Sequence, residues 1–202
     1  MDDLVKINEG PGNMIVKFAG NDASMRYNWT METGRNELGV SGNTLTTYNA
    51  TTGLTTTFDI KQFPNATDLL WAKTMMHESI HAYLTTYYIV NARGAIAEYP
   101  VLFNDWFAAG SKNFNKYQHE EIERDFVKSM GVALESYGIS QGYKLPKQFY
   151  EDMAWGGLEK IDAFQNLPRE DRIRISNTIN IELIGLDDSG NKKTQKGKKV
   201  GC

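Results

Sequence analysis

An α+β fold is predicted for this chain of 202 residues, and three observations carry that prediction. Up to about residue 62, short apolar runs alternate with Gly, Pro and Asn, the punctuation of strands and turns. Beyond Pro64 the apolar residues recur at the helical period and keep doing so. The composition, 41% hydrophobic and 23% charged, lies near the globular average, so a chain of this length can bury a core of its own. The organisation read from these features is a single domain over 1–186, β-rich over 1–62 and mainly helical over 63–186, followed by a basic tail at 187–202.

The strands come first. Val5–Ile7, Met14–Phe18 and Met25–Trp29 are apolar or alternating runs bounded by turn residues. Leu45–Tyr48 and Leu54–Ile60 flank Asn49-Ala-Thr-Thr-Gly53, a hairpin with a glycine in its loop. Their threonines suit an exposed or edge strand. Asn65 or Thr67 can then cap a helix that runs to about Asn91, with Gly94 beyond its end. A second helix fits Asn115 to Tyr137 and stops at Gly138. Pro146 suits the first turn of a third, which Gly156-Gly157 should break. Pro168-Arg-Glu-Asp starts another; Ile173, Ile175, Ile179, Ile181 and Leu183 alternate as a strand would, but the start signal favours helix. From Asp187 onward the near absence of apolar residues predicts a disordered tail.

The first long helix carries the chemistry. The chain has three histidines, and two of them stand in His77-Glu78-Ser79-Ile80-His81, an HExxH motif. A spacing of four puts both imidazoles on one face, one turn apart, so that both can reach a single ion. Glu78 lies about 100° further around the helix, beside such an ion and able to move a proton there. Leu69, Ala72, Met76, Ile80, Tyr83 and Tyr87 form the packing stripe, which places the histidines at the border of the core.

The segment Thr74-Met-Met-His-Glu-Ser-Ile-His-Ala-Tyr-Leu84 resembles the active-site helix of the zincin (HExxH) zinc metallopeptidases, particularly the SprT-like and related bacterial groups. The resemblance covers this helix well and the rest only loosely. It implies a zincin-like α+β fold with a twisted sheet before the helix, a catalytic Zn2+, Glu78 as general base and a protein or peptide substrate. Leu54–Ile60 would then be the edge strand that aligns the substrate. Other zincin patterns depart from this chain. The metzincin extension needs glycine at position 84 and histidine at position 87, where Leu84 and Tyr87 stand. The single cysteine, Cys202, leaves no cysteine ligand upstream and no zinc ribbon.

A catalytic zinc requires a third protein ligand. His119 begins a helical series of His119, Ile122, Phe126, Met130, Ala133 and Tyr137, and is thus the polar first member of a buried stripe. The metal set is therefore read as His77, His81 and His119. Glu98, Glu120, Glu121 and Glu123 stay open as rivals; Glu121 with Asp125 forms a Glu-x-x-x-Asp arrangement, and Glu123 could hold an imidazole in place. Tyr83, Tyr87, Tyr88, Tyr99, Tyr117 and Tyr137 include candidates for stabilising an oxyanion, although packing accounts for each of them better. Trp155-Gly-Gly-Leu158 is either a loop beside the cleft or a plain helix break.

Other classes find no support. The net charge of −3, from 22 basic and 25 acidic residues, offers no bulk attraction for nucleic acid or anionic lipid. No apolar run is long enough to span a membrane, and the acidic start lacks the features of a secretory signal, so a cytoplasmic protein is expected. The sequence predicts a zinc metallopeptidase. A non-catalytic zincin-shaped binding module and a zinc hydrolase acting on a non-peptide amide stand as alternatives, because HExxH specifies the attacking water and not the acyl group.

Overall fold

The computed structural model describes residues 28–45, 48–49, 51–90, 118–120, 122 and 126–200. Among these it is α+β: a three-stranded mixed sheet followed by helices. The strands expected at 5–7 and 14–18, and residues 25–27, lie outside the described residues.

Strands β1 (Trp29–Thr33), β2 (Gly42–Thr44) and β3 (Leu54–Phe58) assemble in the order β1-β3-β2. β3 pairs in parallel with β1 and antiparallel with β2, Trp29 facing Leu54 and Gly42 facing Phe58. The expected edge strand Leu54–Ile60 is therefore the central one, and β2 forms an edge among the described residues. Its threonines mislead because one of them faces inward: Leu54, Thr56 and Phe58 alternate into the core, and Thr56 is wholly buried. The loop falls where expected, closed by Asn49 and Gly53, but the strand before it is Gly42–Thr44 and not Leu45–Tyr48, of which 46–47 lie outside the described residues. Gly53 has φ of +70°, and a Cβ there would lie 1.7 Å from the Asn28 carbonyl oxygen, so no other residue fits.

Helix α1 (Asp68–Val90) lies against the inner face of this sheet. Thr67 caps it, its hydroxyl accepting from the Leu70 amide. The predicted stripe is buried, and so is most of the rest of the helix, including Lys73, Thr74, Ser79 and Thr85. That makes α1 a central helix rather than a surface one. Residues 118–120 are helical, Ile122 and Phe126 have π-helical geometry, and α2 (Val127–Ser140) follows.

Gly138 does not stop α2, which runs on to Ser140. It is a contact point: a Cβ there would sit 2.3 Å from the Tyr150 hydroxyl of α3 (Lys147–Ala154), and Gly131, seven residues earlier, lies against Glu151. Glycines on one face let the two helices approach closely, at about 1 kcal/mol of helix propensity each. Pro146 caps α3, and the helix ends before Gly156-Gly157 as expected. Short α4 (Asp162–Gln165) leads to α5 (Arg169–Ile184), which Pro168 precedes. In α5 only Ile175, Ile179 and Glu182 are buried, the spacing of a helix face.

Residues 187–200, expected to be disordered, are instead held in place. The Lys196 and Gly197 amides donate to the Glu182 carboxylate, the Lys198 amide donates to Asp68, and Lys199 bridges to Thr67. Composition could not signal this, because the binding comes from backbone groups rather than apolar side chains. Among the described residues no helix is long and apolar enough to cross a membrane.

Candidate metal centre

The helical spacing of α1 places His77 and His81 on one face, and the segment at 118–120 brings His119 onto them. Nε2 of His81 lies 3.0 Å from Nε2 of His77 and 3.2 Å from Nε2 of His119. The three rings are mutually tilted, with centroids 4.7 to 5.2 Å apart. Their ligand atoms all lie within 4.8 Å of one another, close enough to hold a metal ion. His77 and His81 do not border the core as expected. They are 5% and 6% exposed, as buried as the stripe itself. One cover is visible: a Cβ on Gly157 would lie 3.2 Å from the His77 ring, so the Gly156-Gly157 turn packs directly on the imidazole.

The hydrogen bonding assigns the tautomer of His81. Gln118 donates its amide N–H to the Thr85 hydroxyl at 3.0 Å, which turns its carbonyl oxygen toward His81 Nδ1 at 2.8 Å. Nδ1 is then the protonated nitrogen and donates, and Nε2 presents a lone pair. That one in-plane lone pair can accept well from only one Nε2–H, and where His77 or His119 carries its proton on Nδ1 instead, lone pair faces lone pair. A cation resolves the conflict, because all three Nε2 atoms then present lone pairs. Zinc bonded to nitrogen at about 2.0–2.1 Å in tetrahedral geometry sets its ligand nitrogens roughly 3.3 Å apart, close to the observed spacing. A carbonyl-anchored Nδ1–H is also the usual support of a metal-binding histidine.

Electrostatics keep the site ready for a cation. Burial first, then neighbouring His81, His119 and Lys73, hold the His77 imidazole well below its ordinary value of 6.5. Burial, followed by His81 and Lys73, pushes His119 down to about 3. Both are neutral at pH 7, so a metal does not have to displace a proton from either. His77 Nδ1 is buried without a hydrogen-bond partner among the described residues.

Glu78 is buried beside the centre, and the Thr44 hydroxyl of β2 donates to its Oε2 at 2.6 Å. Lys73, one turn before His77, is also buried and donates to the Gly156 carbonyl at 3.1 Å. That bond fastens the glycine turn beside His77, so Trp155-Gly-Gly-Leu158 both ends a helix and borders the site. Burial lowers the Lys73 pKa, opposed by Glu159 and Glu78.

Of the rival ligands, Glu98, Glu121 and Glu123, with Asp125, lie outside the described residues. Glu120 is described and is not part of the histidine cluster. Tyr83 and Tyr87 are buried with their rings stacked 5.5 Å apart, and Tyr137 packs against the core. The Tyr88 side chain, Tyr99 and Tyr117 lie outside the described residues. Sequence reasoning missed Gln118, Thr85, Thr44 and Lys73. Only Gln118 had a signal, its place beside His119 at the head of a buried stripe. Comparison with protein-family models, curated proteins and solved structures gives no match to this chain.

Proposed function

We propose that this chain is a zinc-dependent hydrolase of peptide bonds, with His77, His81 and His119 as the metal ligands and Glu78 as the general base. The observation that carries this reading is the convergence of three Nε2 atoms at the helix position next to a buried glutamate. Three imidazoles form a borderline donor set that suits zinc and would leave a coordination position open for water. When bound, the ion supplies Lewis acidity, which acidifies water and polarises an acyl oxygen. Glu78 takes the proton from the attacking water and later delivers it to the departing amine nitrogen, so the carboxylate is regenerated. Gln118 holds the His81 ring, and the Lys73–Gly156 tie keeps the glycine turn on His77. Among the described residues, the edge strand nearest Glu78 on which a peptide could align is β2, because Leu54–Phe58 is central.

A second reading, a non-catalytic metal-stabilised module, draws support from the burial of His77 and His81. Glu78→Gln separates the two. The variant should keep its fold and about one zinc per chain, measured by elemental analysis. Its hydrolysis of a dye-quenched unfolded polypeptide should fall about 10²–10⁴-fold. Equal activity in variant and parent would refute the general-base role, and folded parent protein that takes up no zinc would refute the metal centre. A parent that binds zinc and cleaves only small non-peptide amides would move the proposal to that substrate class.

A further inference from the structure

The chain Trp29–Thr56–Thr44–Glu78 has a single consistent direction. Indole Nε1–H of Trp29 can only donate, and it reaches Thr56 Oγ1 at 2.7 Å. Thr44 spends its one hydroxyl proton on Glu78 Oε2 at 2.6 Å, so in the 2.6 Å contact between the two threonines Thr56 is the donor. Each hydroxyl accepts once and donates once. All three strands thus contribute a residue to a line of hydrogen bonds that ends on one oxygen of one carboxylate. Thr56, in the middle of the line, is wholly buried, and Trp29 and Thr44 are half-buried.

Gly42, two residues before Thr44 and hence on the same face of β2, supplies the complement. A Cβ there would lie 2.9 Å from Thr74 Cγ2, 3.0 Å from Glu78 Cγ and 3.1 Å from Oε1, so it would press on the carboxylate and on the threonine one turn before it. β2 therefore ties Oε2 and leaves room for Oε1, which no described hydrogen bond engages.

We propose that Thr44 and Gly42 are positioning residues that lock the Glu78 side chain in one rotamer, with Oε2 anchored and Oε1 reserved as the proton acceptor. The inference rests on the hydrolase reading above and adds two residues to its machinery. Without the Thr44 donor the carboxylate can rotate about its side-chain bonds, and misplacement of a reacting group by about 1 Å can cost on the order of a hundredfold in rate. Thr44→Val is close to isosteric and deletes only the hydroxyl; Thr44→Ser restores it; Gly42→Ala crowds Oε1.

The test uses the full chain with Co(II) in place of zinc, at fixed pH, and reads the visible absorption bands, which respond to hydrogen bonding at the metal. Urea midpoints and metal stoichiometry serve as controls. The bands of Thr44→Val and Gly42→Ala should move as those of Glu78→Gln do, while Thr44→Ser keeps the parent spectrum. In the zinc forms, turnover of the dye-quenched polypeptide should drop about ten- to a hundredfold in kcat, with KM little changed, for Thr44→Val and Gly42→Ala, and stay at the parent level for Thr44→Ser. If Thr44→Val unfolds, Thr44→Ala removes the same hydroxyl without a branched side chain and should give the same spectrum. Parent-like bands and kcat in folded Thr44→Val, beside a shifted Glu78→Gln, would overturn the positioning role and leave the hydrolase reading standing. No Co(II) uptake, or a Glu78→Gln protein as active as the parent, would overturn both.

Discussion

The two ends of the first half of α1 hold buried polar clusters of opposite character. At its start, Glu182 receives the Lys196 and Gly197 amides and the Thr67 hydroxyl on its carboxylate, and the Thr67 amide and the Gln195 side chain on its carbonyl. Asp68 beside it accepts from the Tyr143 hydroxyl and the Lys198 amide. Donors and acceptors match, so this cluster clasps the C-terminal segment to the helix. Two and a half turns on, three imidazoles crowd their Nε2 atoms together and His77 Nδ1 has no described partner. A satisfied buried network rigidifies a fold, whereas one that cannot satisfy itself costs stability and calls for a ligand. Glu182 and Thr67 are as buried as His77 and His81. What separates the two clusters is whether the hydrogen bonding closes.

The comparison breaks most readily at the histidines. His77→Ala or His81→Ala should weaken zinc binding by about a thousandfold or more, on the order of 4 kcal/mol, as seen by competition with a chromophoric chelator. In metal-free protein His77→Ala should cost less stability than His81→Ala, since His77 Nδ1 is unpartnered whereas loss of His81 strands the Gln118 carbonyl oxygen. His119→Ala should also lower affinity sharply; if it does not, the third ligand lies elsewhere. At the clasp the outcome inverts. Glu182→Ala should cost about 3 kcal/mol of stability in urea titrations, because it strands several buried donors, and zinc affinity per folded molecule should hardly change. Equal zinc loss in Glu182→Ala would show that the clasp also builds the centre.

A smaller effect sharpens the contrast. Gln118→Leu removes the anchor of His81 Nδ1 without touching a ligand, and zinc affinity should fall about 10–100-fold. The smallest effect is one of pH. His77 and His119 are held below 6.5 in the fold, and His119 at about 3, so below 6.5 the unfolded chain binds more protons than the folded one. The stability of metal-free protein is then complete above pH ~6.5 and is lost progressively as pH falls toward 3. The loss is about 1 kcal/mol per histidine over the first pH unit. His119→Leu should flatten that slope; an unchanged slope would show that the histidine is not held neutral.

Much of this was legible in the chain. Thr67, the apolar period after it and Pro168 mark helix starts because capping and periodicity act within a few residues. Asn49 and Gly53 close a hairpin for the same local reason. The readings that failed are those in which a residue answers to a distant partner. Gly138 looked like a stop and is a seat for Tyr150; Leu54–Phe58 looked like an edge because its threonines are polar, although Thr56 has its partners in Trp29 and Thr44. Residues 187–200 looked disordered because their binding runs through backbone amides.

The sequence by itself determined that two imidazoles stand one turn apart on a helix with a glutamate between them, since a spacing of four is a property of helix geometry alone. It also put His119 on a buried stripe, which narrowed its position without fixing its neighbour. Tertiary structure alone decided that His119 meets the other two, that Gln118 holds His81 and that Thr44 holds Glu78. The partners in these contacts lie 34 to 38 residues apart. No local propensity encodes such a separation; only the packing of α1 against the sheet and against the segment that carries His119 closes it.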